Sequence, residues 1–195
     1  MNSSNFFRPQ RKIVMSSRRT VRIGFGKVNP PDTNLWRLFA RDSANGISTP
    51  VLCLEPSEKN GFSIMAVSCL LIEAYETFRQ GWPSSDNKSA LAFCYFFDRE
   101  DHFEVFRGHL QGFYEHVRCG ILHQGETTGG WKLTRADGKP LFEHCERTVH
   151  ASKFHALLVE VIDEYCALLN REPTTSDTWR KFKRKLKATL QNCEK

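Results

Sequence analysis

The sequence predicts a mainly α fold: a helical bundle of about five helices, minor β-structure at the N-terminal edge, and a small hairpin near residues 131–142. Two observations carry this prediction. From residue 62 onward apolar residues recur every three or four positions, the period of a helix with one buried face. The stretches with this period are joined by short polar connections punctuated by Gly, Pro, Ser and Asp, which suits helices packed beside their chain neighbours.

Residues 1–19 are polar, basic and without pattern, and read as a flexible arm. Residues 20–59 read as an N-terminal extension with short strands. There Val21, Ile23 and Phe25 alternate with Arg22, Gly24 and Gly26, the two-residue period of a half-buried strand, until Asn29-Pro30-Pro31 stops it. Residues 34–41 fit a brief helix and 47–54 an extended piece broken by Pro50. The helical domain spans 60–193. In its first helix, 62–82, Ile64, Val67, Leu71, Tyr75, Phe78 and Trp82 share a face that Met65, Cys69 and Ile72 widen, and a helix so apolar belongs at the centre of a core. Gly81 and Pro83 end it, and residues 84–87 supply a linker with an N-cap for the next element.

Residues 88–99 fit a buried strand or a helix by period alone, and their helical neighbours favour the helix. Phe103, Phe106, Leu110, Phe113 and Val117 then form a regular seam. Beyond His123 the pattern stops. Trp131 to Leu133 and Leu141-Phe142, either side of Asp137-Gly138, read as the hairpin. Helical period returns from Phe154 to Leu169 and closes at Glu172-Pro173. The last helix sets Trp179, Phe182, Leu186 and Leu190 against a basic face, with Asp177 in its first turn.

Charge is unevenly placed. Of a net +6, residues 1–27 hold seven Lys/Arg and no acid, and residues 179–195 hold seven and one acid. The body between them keeps 14 basic and 21 acidic residues, a net of −7. Basic ends on an acidic body point either to local contacts with a polyanion or to solvated termini. The seven cysteines lack close CxxC pairs and mostly sit in apolar runs, which predicts a reducing, cytoplasmic setting. We find no run of about 18 apolar residues to cross a bilayer and no secretory-signal core, so no membrane partner is predicted. Arg and Ser without acid at the N-terminus is also the composition of an organelle transit peptide.

The candidate chemistry lies between Phe113 and Trp131, where Arg118 and His123 stand five residues apart. On a straight helix that spacing separates them by about 140° and about 7.5 Å along the axis. Gly120 offers a place for the helix to end or distort, and Gly125, Gly129 and Gly130 free the chain around His123. An unperturbed His titrates near about 6.5 and serves as acid or base at neutral pH. Arg stays charged and presents a planar fork to phosphate oxygens.

The run Arg118-Cys-Gly-Ile-Leu-His123, late in a bundle helix, resembles the Arg, four-to-six residues, His signature of HEPN domains. The resemblance covers about residues 60–193, the helical domain. The phrase from Phe113 to Trp131, with Ala90 to Phe97 before it, is more specifically similar to a stand-alone, plasmid-borne bacterial branch. It implies a metal-independent endoribonuclease that acts as a homodimer, a toxin or defence effector with RNA as substrate and an antitoxin or other protein as partner. His123 would move the proton of the ribose 2′-hydroxyl or of the leaving oxygen, and Arg118 would hold the phosphate. Cys119 stands where active members frequently carry a polar residue, so a non-catalytic module that binds RNA or a partner protein is the alternative.

Supporting candidates each keep a plainer reading. Glu73 orients Arg118 across the bundle or, with Glu76, marks a solvent edge. Tyr114 contacts the same phosphate or is core. Thr127, Thr128 and Trp131 shape the cleft, Trp131 offering a stacking face for a base, or they belong to a hairpin core. No metal or cofactor is predicted. His102, His109, His116 and His123 are seven apart, about 10.5 Å along a helix, too far to share an ion. His144, Cys145, His150 and His155 lack zinc spacing.

Overall fold

The computed structural model describes the backbone of Arg11–Ser16 and Arg19–Ile23 and residues 60–192. The first two segments, β1 (Arg11–Ser16) and β2 (Arg19–Ile23), pair antiparallel with Ile13 opposite Val21. The stretch read as a patternless arm therefore contributes a strand. Its apolar residues Ile13 to Met15 are consecutive rather than alternating, so they carry no two-residue signal. The elements expected at 34–41 and 47–54 lie outside the described residues.

Helix α1 (Gly61–Gln80) packs against every other helix of the bundle and against the second sheet. Ile64, Met65, Cys69 and Ile72 are fully buried. It ends at Gly81, whose φ of 66° suits a residue without a side chain. A Cβ there would also lie 2.8 Å from the backbone of Lys181, so the helix end sits directly on the last helix. By length and composition α1 is apolar enough to cross a membrane, which the sequence reading missed because Ser, Glu and Thr interrupt the run. The face carrying Ile64, Met65, Cys69 and Ile72 is spent inside the bundle, and both carboxylates of the helix are paired with arginines there.

Helix α2 (Ser89–Arg99) confirms the helical choice for this run, with Ala92, Phe93, Phe96 and Phe97 inward. Its expected side-chain cap is not made: Lys88 occupies the N-cap, while Ser84 donates to Asp86 two residues on. The predicted seam helix is composite. This segment, α3 (101–124), runs as a 3-10 helix Asp101–His109, one α turn Leu110–Gly112, a π-helix Phe113–Cys119 and a last α turn Gly120–Gln124. The seam residues Phe103, Phe106, Phe113 and Val117 are nonetheless fully buried.

The predicted hairpin is replaced by a three-stranded sheet. Strands β3 (Lys132–Thr134) and β4 (Phe142–Glu143) do not pair with each other; β5 (Thr148–His150) lies between them, parallel to β3 and antiparallel to β4. Asp137-Gly138 still turns the chain, with Gly138 at φ 76°. The inserted strand holds one apolar residue, Val149, between Thr and His, too little for periodicity to register. His150 then caps α4 (Ala151–Arg171), its Nδ1 accepting from the Lys153 amide.

Helix α5 (Asp177–Asn192) buries Trp179, Phe182 and Leu190. Rings from α2, α3, α4 and β4 fill the centre: Phe113 stacks on Phe154 at 5.4 Å, Phe103 meets Phe154 at 4.8 Å, and Phe106 stacks on Phe142 at 4.9 Å. These contacts fix α3 against the sheet despite its irregular backbone.

Candidate functional site

Arg118 lies in the π-helical stretch of α3 and reaches across to α1. Its Nε donates to Glu73 Oε1 at 2.8 Å and its Nη2 approaches the same oxygen at 2.7 Å. Both side chains are largely enclosed, 14% and 11% exposed. Glu73 therefore holds Arg118 in place, and is not a solvent edge. The guanidinium also lies over the Tyr114 ring at 5.6 Å, and its Nη1 is 3.8 Å from Cys119 Sγ. Burial works against the charge of Arg118, but the hydrogen bond and charge of Glu73 outweigh it and raise its pKa above the ordinary value. Beneath it the Cys69 thiol is pushed far up by burial, against the pull of Arg118, and behaves as a core hydrophobe.

His123 stands in the last turn of α3, exposed to solvent, and makes no side-chain hydrogen bond among the described residues. Gly125 follows at φ 75° and ends the helix. The break expected at Gly120 is absent: Gly120 is helical, with φ −55° and ψ −53°. What departs from α geometry is the π-helical stretch before it, a device common at functional sites. Gly120 is small for another reason. The chain returns over it, and a Cβ would lie 2.6 Å from the Glu126 carbonyl oxygen.

The glycine-rich loop is docked, not free. Thr128 N donates to the His116 carbonyl at 3.0 Å, the Thr128 hydroxyl bonds His116 Nδ1 at 3.0 Å, and a Cβ on Gly129 would strike the His116 ring. Thr127 Oγ1 donates to the Trp131 carbonyl at 2.7 Å. Trp131 is 5% exposed, stacked on Phe142 at 5.3 Å with its edge over Gly112. It is part of the core and presents no open face to a base. Tyr114 divides its contacts between Arg118 and Phe93.

No protein-family model, curated protein or solved structure matches this chain. Its site is therefore read from geometry and residue chemistry. The seven-residue histidine series does not act together. His102 meets Glu164, His109 meets His144, His116 meets Thr128, and only His123 points to solvent without such a partner among the described residues. The His109–His144 contact, 3.0 Å from Nε2 to Nδ1, had no signal in sequence, because it joins positions 35 residues apart.

The basic face of α5 is largely committed. Arg184 donates to the carbonyls of Gly81 and Gln80, and Lys185 to that of Pro83, capping the end of α1 where the helix dipole favours cations. Lys183 bonds the Thr174 carbonyl, and Arg180 and Lys181 pair with Asp177. The sequence shows these cations only as a basic helix face; the short polar turns they cap are invisible to a one-helix view.

Proposed function

We propose that this chain is a HEPN-type, metal-independent endoribonuclease that works as a homodimer, in the role of a toxin or defence effector. One observation carries the reading: Glu73 fixes Arg118 on a π-helical stretch, five residues before an exposed, unbonded His123. The RNA 2′-hydroxyl attacks the adjacent phosphorus and the bond to the 5′-oxygen breaks, leaving a 2′,3′-cyclic phosphate and a 5′-hydroxyl. One proton leaves the 2′-oxygen and one reaches the leaving oxygen, tasks suited to His123 and its copy in the second chain. Guanidinium offers five N–H donors; with two spent on Glu73 and one directed at Cys119 Sγ, two remain for phosphate oxygens.

Support for the second copy comes from α1. Phe62 and Leu70 are 41% and 51% exposed, with Ala66 and Ala74 continuing their four-residue spacing. This apolar row lies on the helix that carries Glu73.

The test uses the purified full chain, total RNA and excess EDTA, with the product ends mapped. We expect EDTA-resistant cleavage, 2′,3′-cyclic phosphate ends, and a loss of at least about a hundredfold in His123→Ala. Because His123 is exposed, this variant keeps its stability to within about 0.5 kcal/mol. Intact RNA of every class, or a strict monomer in solution, would sink the reading. A non-catalytic RNA- or partner-binding module is the second reading, favoured by the close neutralisation of Arg118 by Glu73. Salt-dependent RNA binding that survives both Arg118→Ala and His123→Ala would select it.

A further inference from the structure

We propose that His109 and His144 form a two-imidazole chelate for a divalent transition ion of tetragonal preference, Ni²⁺ or Cu²⁺, on the face of the molecule formed by α3 and the sheet. His109 ends the 3-10 part of α3, where its φ of −127° breaks the helix and turns the ring outward against β4. His144 follows β4 directly. Their rings rest on Phe142 at 5.0 and 4.6 Å, and His109 also meets the edge of Trp131 at 6.4 Å. This aromatic floor is part of the core, so both rings rest on a fixed surface, His109 at the end of the 3-10 segment and His144 in the turn that follows β4.

The spacing selects the ion. Nε2 of His109 and Nδ1 of His144 stand 3.0 Å apart. With metal–nitrogen bonds of about 2.05 Å, that separation closes a bite angle of about 94°. This is near the right angle of square-planar and octahedral ions and well short of tetrahedral zinc. Both facing nitrogens must be unprotonated to bind, with each proton on the remote ring nitrogen.

Without an ion the two rings share one proton in an N–H···N bond, and a second proton would set two donors against each other. Arg147, tied to the Gly129 carbonyl at 3.0 Å, is the charge that opposes the ion. From His109 to His123 the helix advances roughly 20 Å, so the chelate stands apart from the proposed ribonuclease centre. It cross-links α3 to the sheet and does not depend on RNA chemistry.

Calorimetric titration of the untagged, reduced full chain with Ni²⁺ and with Zn²⁺ tests this. We expect one Ni²⁺ per chain, tighter than Zn²⁺, weakened at least tenfold in His109→Asn and in His144→Asn, and unchanged in His102→Ala. Asn keeps a polar side chain of similar reach, and circular dichroism checks that the variants fold. Arg147→Asn, which suits the φ of 50° at that position, should tighten Ni²⁺ binding. Equal Ni²⁺ affinity in either Asn variant, Zn²⁺ bound more tightly than Ni²⁺, or no binding at all would overturn the assignment.

Discussion

Ser68 and His155 meet in the middle of the bundle, both fully buried, at 2.9 Å. The Ser68 hydroxyl is already spent on the Ile64 carbonyl at 2.8 Å. His155 must then donate through Nδ1, which leaves Nε2 a bare acceptor without a partner. A second proton on this ring would be a buried, unpaired charge, and desolvation lowers its pKa accordingly. The sign follows: the unfolded chain takes up the proton near about 6.5 while the folded chain resists it, so stability is lost as pH falls from there toward the folded value. One such group sets a slope of at most about 1.4 kcal/mol per pH unit. Urea denaturation from pH 7.5 to 5 should show a shallower acid loss in His155→Leu than in the native chain; parallel curves would refute the argument. His109 and His150 are also lowered, chiefly by burial, so a smaller slope will remain in that variant. Little of this was legible in sequence. A buried His and an exposed His look alike until the fold assigns their neighbours. The Glu73–Arg118 contact was only half legible, because a carboxylate on an apolar helix fits a solvent edge as well as a cross-bundle partner.

Helix α3 is shaped by what packs onto it. Gly112, His116 and Gly120 stand four residues apart and receive Trp131, Gly129 and the Glu126 carbonyl in turn. The return of the chain over α3 thus needs small residues at both ends of this row. Ala is a better helix former than Gly by about 1 kcal/mol, yet Gly120→Ala drives its Cβ into backbone and should cost about 1–3 kcal/mol. Gly108, with nothing within 4 Å of its Cβ position, is the contrasting site, and Gly108→Ala should gain about 0.4–1 kcal/mol. Thermal unfolding of the two variants side by side checks the pair of signs. The apolar seam of α3 was legible because burial depends on where the rings point. Its 3-10 and π-helical backbone was not, since both bury residues at three- and four-residue spacings much as an α-helix does. The hairpin reading failed for a related reason: local turn chemistry announces a turn at Asp137-Gly138 but cannot say that a third strand from further along will part the two arms.

At the scale of the molecule, the helical bundle was readable from period and connection length, and α1 was correctly placed at its centre. Chain-end charge was the misleading signal, because net charge says nothing of which cations the fold has already used. Arg184 and Lys185 close the carbonyl end of α1, more than a hundred residues away in sequence, at the point where Gly81 brings the two helices into backbone contact. Removing a charged donor from such carbonyls costs about 1.5–3 kcal/mol. Part of that is recovered here by water, since these donors are partly exposed. Arg184→Gln should therefore lower stability by about 1–2 kcal/mol, with an unchanged dependence of unfolding on denaturant. Lys187 is exposed and has no side-chain partner among the described residues, so Lys187→Gln should stay within about 0.5 kcal/mol of the native chain. Under the proposed function, RNA affinity supplies the complementary readout. A cation already bound to carbonyls releases few counterions, so Lys187→Gln should flatten the salt dependence of RNA binding by more than Arg184→Gln does. The opposite ranking, with Arg184→Gln flattening the salt dependence more and leaving stability unchanged, would mean that Arg184 serves the RNA contact rather than the clamp on α1.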